Sequence, residues 1–228
     1  EKENFFYLFN KDKSLHIDLH WELTGRYGQK PFYFLNSQQR VMKLHLLNRQ
    51  LRTLDIETTF IYLCIHGSSH CWDKLEFIIS IAKMVSTGMI QDWPLVFDRA
   101  KSLKCQKMVV LALRLAESLF NIDLSAIPEK YIKINVHKPQ NYILKKFTEN
   151  KTGFTEKLNW RFSVFHFQVR DSFSDALFYF FRLFFQPTVK EWETYRLPKG
   201  FWRLYYILRP YRLIREGLFN STIKFFCS

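Results

Sequence analysis

Apolar and polar residues alternate strictly along Leu15-His16-Ile17-Asp18-Leu19-His20-Trp21-Glu22-Leu23. A two-residue period of this length is the pattern of a half-buried β-strand. One face is expected to feed a core; the other carries His16, Asp18, His20 and Glu22. An aromatic run, Phe5-Phe6-Tyr7-Leu8-Phe9, precedes it across Asn10-Lys11-Asp12-Lys13-Ser14, which is turn chemistry, so residues 5–23 read as a hairpin. Gly25 and Gly28 end it. Residues 41–47 alternate again and turn through Asn48-Arg49-Gln50 into residues 51–54, a second hairpin.

From Asp55 the period becomes helical. Asp55 is a good N-cap with Glu57 in the first turn, and Phe60, Ile61, Cys64 and Ile65 form the apolar stripe. A second helix is expected from Trp72, with Leu75, Ile78, Ile79, Ala82 and Val85 on one side and Gly88 as its stop. Asp92-Trp93-Pro94 starts a third, ending near Ser102, and residues 106–119 form a strongly apolar fourth. Pro139 opens a helix running to Glu149, and two more are expected near 155–168 and 172–185. The latter is apolar on nearly all sides and should be buried. Thr188 and Glu191 have capping-box spacing, and a last helix is expected over residues 200–208, ahead of Arg209-Pro210. Strands crowd the first quarter and helices fill the rest. The fold class is therefore α+β: short N-terminal antiparallel strands over 1–54, a helical bundle over 55–128 and a helical C-terminal region over 129–228.

The length of 228 residues allows one large or two small domains. No window reaches the ~18 apolar residues of a spanning helix, and the start carries no signal-peptide pattern, so a cytoplasmic protein is expected. The four cysteines form no CxxC pair and read as reduced thiols. A formal charge of +13 suggests an acidic partner such as a nucleotide, nucleic acid or anionic lipid.

Two stretches carry candidate chemistry. His66-Gly67-Ser68-Ser69-His70 sets two imidazoles at i and i+4, a spacing that chelates zinc, but Gly67 stands where a zincin carries its glutamate. Histidines packed between helices are the favoured reading, and contact with a phosphate is another. The tail carries Arg203, Arg209, Arg212 and Arg215 among Trp202, Tyr205, Tyr206 and Tyr211. That mixture suits nucleic acid or an anionic membrane, and equally a helix whose aromatics pack inward and whose arginines are solvated. No GxxxxGKS, GxGxxG or GxSxG sequence occurs.

Three stretches together resemble the uncharacterised bacterial nucleotidyltransferase family of the polymerase-β-like superfamily. They are Ile17-Asp18-Leu19-His20-Trp21, the run from Leu63 through His66-Gly67-Ser68-Ser69-His70-Cys71-Trp72 to Leu75, and residues 204–213. The resemblance implies transfer of a nucleotidyl group from a nucleoside triphosphate to a hydroxyl acceptor, with Mg²⁺ as cofactor. In that superfamily a Gly-Ser turn and an Asp-x-Asp strand supply two carboxylates, and Asp18 resembles the third, a catalytic metal ligand. His20, His66, His70 and Trp72 would contact substrate or phosphate. Nothing before Asp18 reads as the Gly-Ser turn or the Asp-x-Asp strand, and the chain opens on Glu1 rather than Met. The family's N-terminal lobe is therefore expected to be missing and the fragment inactive. Ser80 also stands where family members often carry Asp. The alternative expectation is a non-catalytic helical module that binds nucleic acid or an anionic membrane surface.

Overall fold

The computed structural model describes residues 5–10, 12, 14–20, 23–24, 27, 41–46, 48–148, 159–198 and 200–226; at 5–7, 16, 18, 20, 159–163 and 217–226 it describes the backbone alone. The architecture is α+β, two antiparallel hairpins and a set of helices. By compactness the chain forms two units, residues 1–21 with 177–228, and residues 22–176. That partition follows contact; the three-part reading into 1–54, 55–128 and 129–228 follows the change of period along the chain.

In the first hairpin β1 (Phe5–Phe9) pairs with β2 (His16–His20), Tyr7 opposite Asp18. Its turn is built by side chains. Asp12 accepts from the Ser14 amide at 3.1 Å, and Asn10 Oδ1 from the Leu15 amide at 2.8 Å. In the second, β3 (Val41–Leu46) pairs with β4 (Arg49–Leu54), Leu44 opposite Leu51. Asn48 at its tip takes a φ of 58°, as a two-residue turn requires.

The alternation of β2 does not feed a core. Leu15, Ile17 and Leu19 are each about half exposed, as is Leu8 on β1. Met42, Leu44, Leu46 and Leu51 of the second hairpin are exposed as well. The two-residue period fixes a strand but not its cover: a two-stranded ribbon buries an apolar face only where another element lies on it.

The core of residues 22–176 is a four-helix bundle of α1 (Ile56–Ser69), α2 (Leu75–Ser86), α3 (Trp93–Leu103) and α4 (Gln106–Phe120). Phe60, Ile61 and Cys64 of α1 are fully buried, and so are Val109 to Leu113, Leu115 and Ala116 of α4. At ~25 cal/mol per Å² of apolar surface removed from water, these buried side chains of α1 and α4 stabilise the unit strongly. Asp55 caps α1 by accepting from the Thr58 amide at 2.7 Å and also receives Arg99 from α3. Burial alone would raise the Asp55 pKa; the Thr58 and Arg99 hydrogen bonds hold it below the usual range. Asp92 caps α3, and Asp171 accepts from the Gln106 and Lys107 amides at the start of α4. Gly88 ends α2 at a φ of 64°.

Two details differ from expectation. α2 starts at Leu75 rather than Trp72, because residues 71 and 72 are left-handed and belong to the stop of α1. Its buried face is Ile78, Ile81 and Ala82, while Leu75 and Ile79 are exposed at 44% and 46%.

α5 (Glu129–Ile132), α6 (His137–Thr148) and α7 (Asn159–Gln168) complete this unit, with Ile143 of α6 buried. α8 (Phe173–Phe185) runs from it into the other unit, which continues with α9 (Val189–Tyr195), a 3-10 turn at Trp202–Leu204 and α10 (Tyr205–Phe226). α8 is not buried: Phe173, Leu177, Phe178 and Phe181 are 42–82% exposed. Only its Asp175, Ala176 and Tyr179 side is covered, since one helix side cannot bury a ring of apolar residues. α10 does not stop before Arg209-Pro210 but carries Pro210 inside it. Proline removes one backbone hydrogen bond there, and side-chain anchors on either side hold the helix together. No helix among the described residues is long and apolar enough to cross a membrane.

Candidate functional site

Asp18 lies on β2, with His16 and His20 at the alternate positions before and after it. Its partner across the ladder is Tyr7, and that of His20 is Phe5. The side chains of Asp18 and His20 lie outside the described residues. The backbone therefore supports a strand with one carboxylate between two imidazoles.

The second candidate stretch is the end of α1. The Cys71 amide donates to the Ser68 carbonyl at 3.1 Å and the Trp72 amide to the Gly67 carbonyl at 2.8 Å. This pair of bonds makes a Schellman stop, with Gly67 one turn before the cap and Trp72 two residues after it. Cys71 (φ 49°) and Trp72 (φ 51°) both take left-handed backbone, which costs a non-glycine residue on the order of 1–3 kcal/mol. The Trp72 indole is fully buried and covers Gly67, where a Cβ would come within 2.5 Å of the ring. The His-Gly-x-x-His-x-Trp spacing is thus first a device for ending a helix: glycine makes room, tryptophan fills it. With no exposed surface, Trp72 shapes this corner rather than touching a substrate.

The stop also presents the two histidines. His66 is half-buried and His70 exposed, their rings 4.7 Å apart, and Phe77 of α2 lies against both at 5.3 and 5.7 Å. They sit at the carbonyl end of α1, where the helix dipole favours cations over anions. A phosphate would be held there only by charged imidazoles, whereas a cation suits the carbonyl end as it stands. Ser80, the family's frequent Asp position, is exposed and bonds back to the Glu76 carbonyl at 2.9 Å.

Behind this corner lies a group not foreseen from the sequence. His166 of α7 faces the Tyr27 hydroxyl through Nδ1 at 3.1 Å and the Cys71 thiol through Nε2 at 4.0 Å. Arg170 donates to the Tyr27 carbonyl at 2.7 Å and lies over its ring. Burial, helped by Arg170, pushes His166 down to about 3, and burial pushes the Cys71 thiol up to about 12. Both are neutral at physiological pH, so the pair packs and does not supply a thiolate nucleophile. No short-range spacing signals it, because its members are 27, 71, 166 and 170 in the chain.

The tail arginines divide. Arg209 and Arg212 are buried on the fully buried Glu191 of α9. Glu191 accepts from Arg212 Nε at 2.7 Å and from both the amide and the hydroxyl of Thr188 at 2.6 Å. Burial alone would raise the Glu191 pKa; the Thr188 and Arg212 bonds and the Arg209 charge bring it down to about 2. The capping-box spacing pointed to Glu191 as a cap, but its arginine partners are a tertiary fact. Arg203, over the Trp202 ring at 5.4 Å, and Arg215 remain exposed.

The family model for uncharacterised nucleotidyltransferases matches residues 2–121, just over half of the chain. The chain belongs to that family. The match contains Asp18 and the whole His66–Trp72 stop, and ends at the close of α4, so the tail arginines lie beyond the matched residues. Comparison with curated proteins and with solved structures returns no match.

A site for a hard divalent cation such as Mg²⁺ needs several oxygen ligands. Among the described residues no three His, Cys, Asp or Glu side chains gather as a metal cage. The stretch on β2 offers one carboxylate, and the α1 stop offers two soft-to-borderline nitrogens. These donors alone do not fit Mg²⁺.

Proposed function

We propose that this chain carries the later portion of a nucleotidyltransferase that moves a nucleotidyl group from a nucleoside triphosphate to a hydroxyl acceptor, and that it is inactive by itself. The family match across both Asp18 and the His66–Trp72 stop carries this reading. Asp18 is the proposed catalytic carboxylate and metal ligand, completed by carboxylates from outside these 228 residues. His20 stands next but one to Asp18 on the same strand, and His66 and His70 are the proposed polar contacts to substrate. The exposed apolar face of β1–β2 agrees with this: a sheet remnant that lacks its neighbours shows the surface they would cover.

The test is an assay with a nucleoside triphosphate labelled at the α-phosphate, Mg²⁺ and candidate protein, RNA and small-molecule acceptors. The 228-residue chain is expected to transfer nothing. A longer polypeptide in which the same chain follows a Gly-Ser turn and an Asp-x-Asp strand is expected to transfer label, and Asp18→Ala in it to lower the rate by more than the ~10–100-fold that loss of an outer-shell partner of a metal ligand costs. Transfer by the short chain, or undiminished transfer by the Asp18→Ala form, overturns the proposal.

A further inference from the structure

α10 is inside out. Its inward side carries Tyr205, Arg209, Arg212 and Glu216, with both arginines joined to Glu191 and Arg212 also to Glu216, while its outward side carries Ile207, Tyr211 and Ile214 at 68%, 56% and 53% exposure. The ordinary arrangement on a water-facing helix is the reverse. α8 adds a second apolar face, with Phe178 and Phe181 about half exposed and Phe185 at 40%. The two helices are tied within one unit by Arg209 Nε, which donates to the Leu183 carbonyl at 2.9 Å. Exposed apolar side chains in this number on adjacent helices mark an interaction surface.

The charge around them says what covers it. Residues 177–228 hold nine Lys and Arg against three Glu and no Asp. Of those three, Glu191 is neutralised by Arg209 and Arg212, and Glu216 by Arg212 and Lys190. Arg196, Arg203 and Arg215 remain exposed, Arg203 over the exposed Trp202 ring, which in turn meets Tyr206. The occupant must therefore be apolar and anionic at once. A nucleic acid has no use for Ile207 and Ile214 at the centre of the face. A second copy would bring the same positive charge against it. An anionic bilayer surface satisfies both demands: apolar and aromatic side chains enter the boundary of the acyl chains, and arginines meet the headgroups.

We propose that the outward faces of α8 and α10 form a docking surface for an anionic lipid membrane. The chain lies on the bilayer through Phe178, Phe181, Ile207, Tyr211 and Ile214, with Arg203 and Arg215 on the headgroups.

Flotation of the 228-residue chain with vesicles of phosphatidylcholine alone, or with about a third phosphatidylserine, tests this. Partition into the phosphatidylserine vesicles is expected, falling at least ~10-fold at about 0.5 M salt. The double variant Ile207→Asp with Ile214→Asp should lose at least ~10-fold, and Arg203→Glu with Arg215→Glu a similar factor, with thermal unfolding unchanged. Quenching of tryptophan emission by brominated acyl chains reads the same docking in the unaltered chain. Absence of partition and quenching overturns the proposal. So does undiminished partition by both double variants, a dimer dissolved by the isoleucine changes, or RNA binding tighter than binding to the anionic vesicles.

Discussion

α4 and α10 are the central helices of their units, and they are built on opposite terms. α4 buries an unbroken run from Met108 to Leu113 and shows its polar residues to water. α10 buries two arginines against a glutamate and shows isoleucine and tyrosine. A dry interface gains from every methylene it hides and fails gradually when one is removed. A buried ion network gains little over an apolar one of the same shape, because desolvation offsets its Coulomb attraction, but it fails abruptly when one member is lost. The bundle is thus built for stability. The C-terminal helices hold their charges inside and leave their apolar surface outside, where a partner can use it.

The contrast has measurable consequences. Glu191→Ala leaves the buried Arg209 without its carboxylate and Arg212 with only Glu216, and should cost about 3–5 kcal/mol in urea unfolding. Replacing all three members together, Glu191→Leu with Arg209→Leu and Arg212→Met, should be neutral or stabilising by a few kcal/mol (~1–4). A triple variant as weak as the single one would show that the charges themselves hold the helices. Leu111→Ala in α4 leaves a cavity and should cost about 2–5 kcal/mol, with no second change able to restore it except refilled volume. Gly67→Ala sets two small effects against each other. Helix propensity gains about 1 kcal/mol, while crowding the Trp72 ring, which has no room to move, costs about 1–3 kcal/mol. Net destabilisation of about 1 kcal/mol is expected from the midpoint of thermal unfolding, and a stabilised variant would refute the packing account of the stop.

The smallest effect lies in mild acid, where His166 and Glu191 should act at different pH. His166 is held down at about 3 from an ordinary 6.5, so the unfolded chain binds its proton first. Its penalty is absent above about 6.5 and grows as pH falls from there toward 3. Glu191 is held down at about 2 from 4.5, so its contribution is complete above about 4.5 and is lost only as pH falls toward 2. Stability should thus begin to drop near pH 6 on account of the bundle unit, by about 1 kcal/mol at pH 5.5. His166→Gln should remove that early fall and leave the later one; an unchanged profile would rule out His166 as its source.

Much of this was legible along the chain. The two hairpins, the Asp55 and Asp92 caps, the stop at Gly88 and the bundle from α1 to α4 follow from local period and end signals, which act over a few residues. Asp18 and the His66–Trp72 stretch stood out by residue type and spacing, and the family match covers both. The errors were errors of environment. The alternation of β2 and the apolar ring of α8 say which residues would prefer cover, not whether cover exists. The arginines of α10 read along the chain as one exposed set, yet Arg209 and Arg212 lie buried on Glu191, eighteen residues before Arg209.

The amino-acid order alone determined where strands and helices form, how most of them end, and which family's chemistry is at hand. Those depend on neighbours within one or two turns. Only the folded arrangement decided that Trp72 fills the space left by Gly67, that His166 and Cys71 are silenced by burial, and that α10 turns its charges inward. Burial and pairing are properties of groups brought together from distant parts of the chain, and no local pattern encodes which side of a helix will find water.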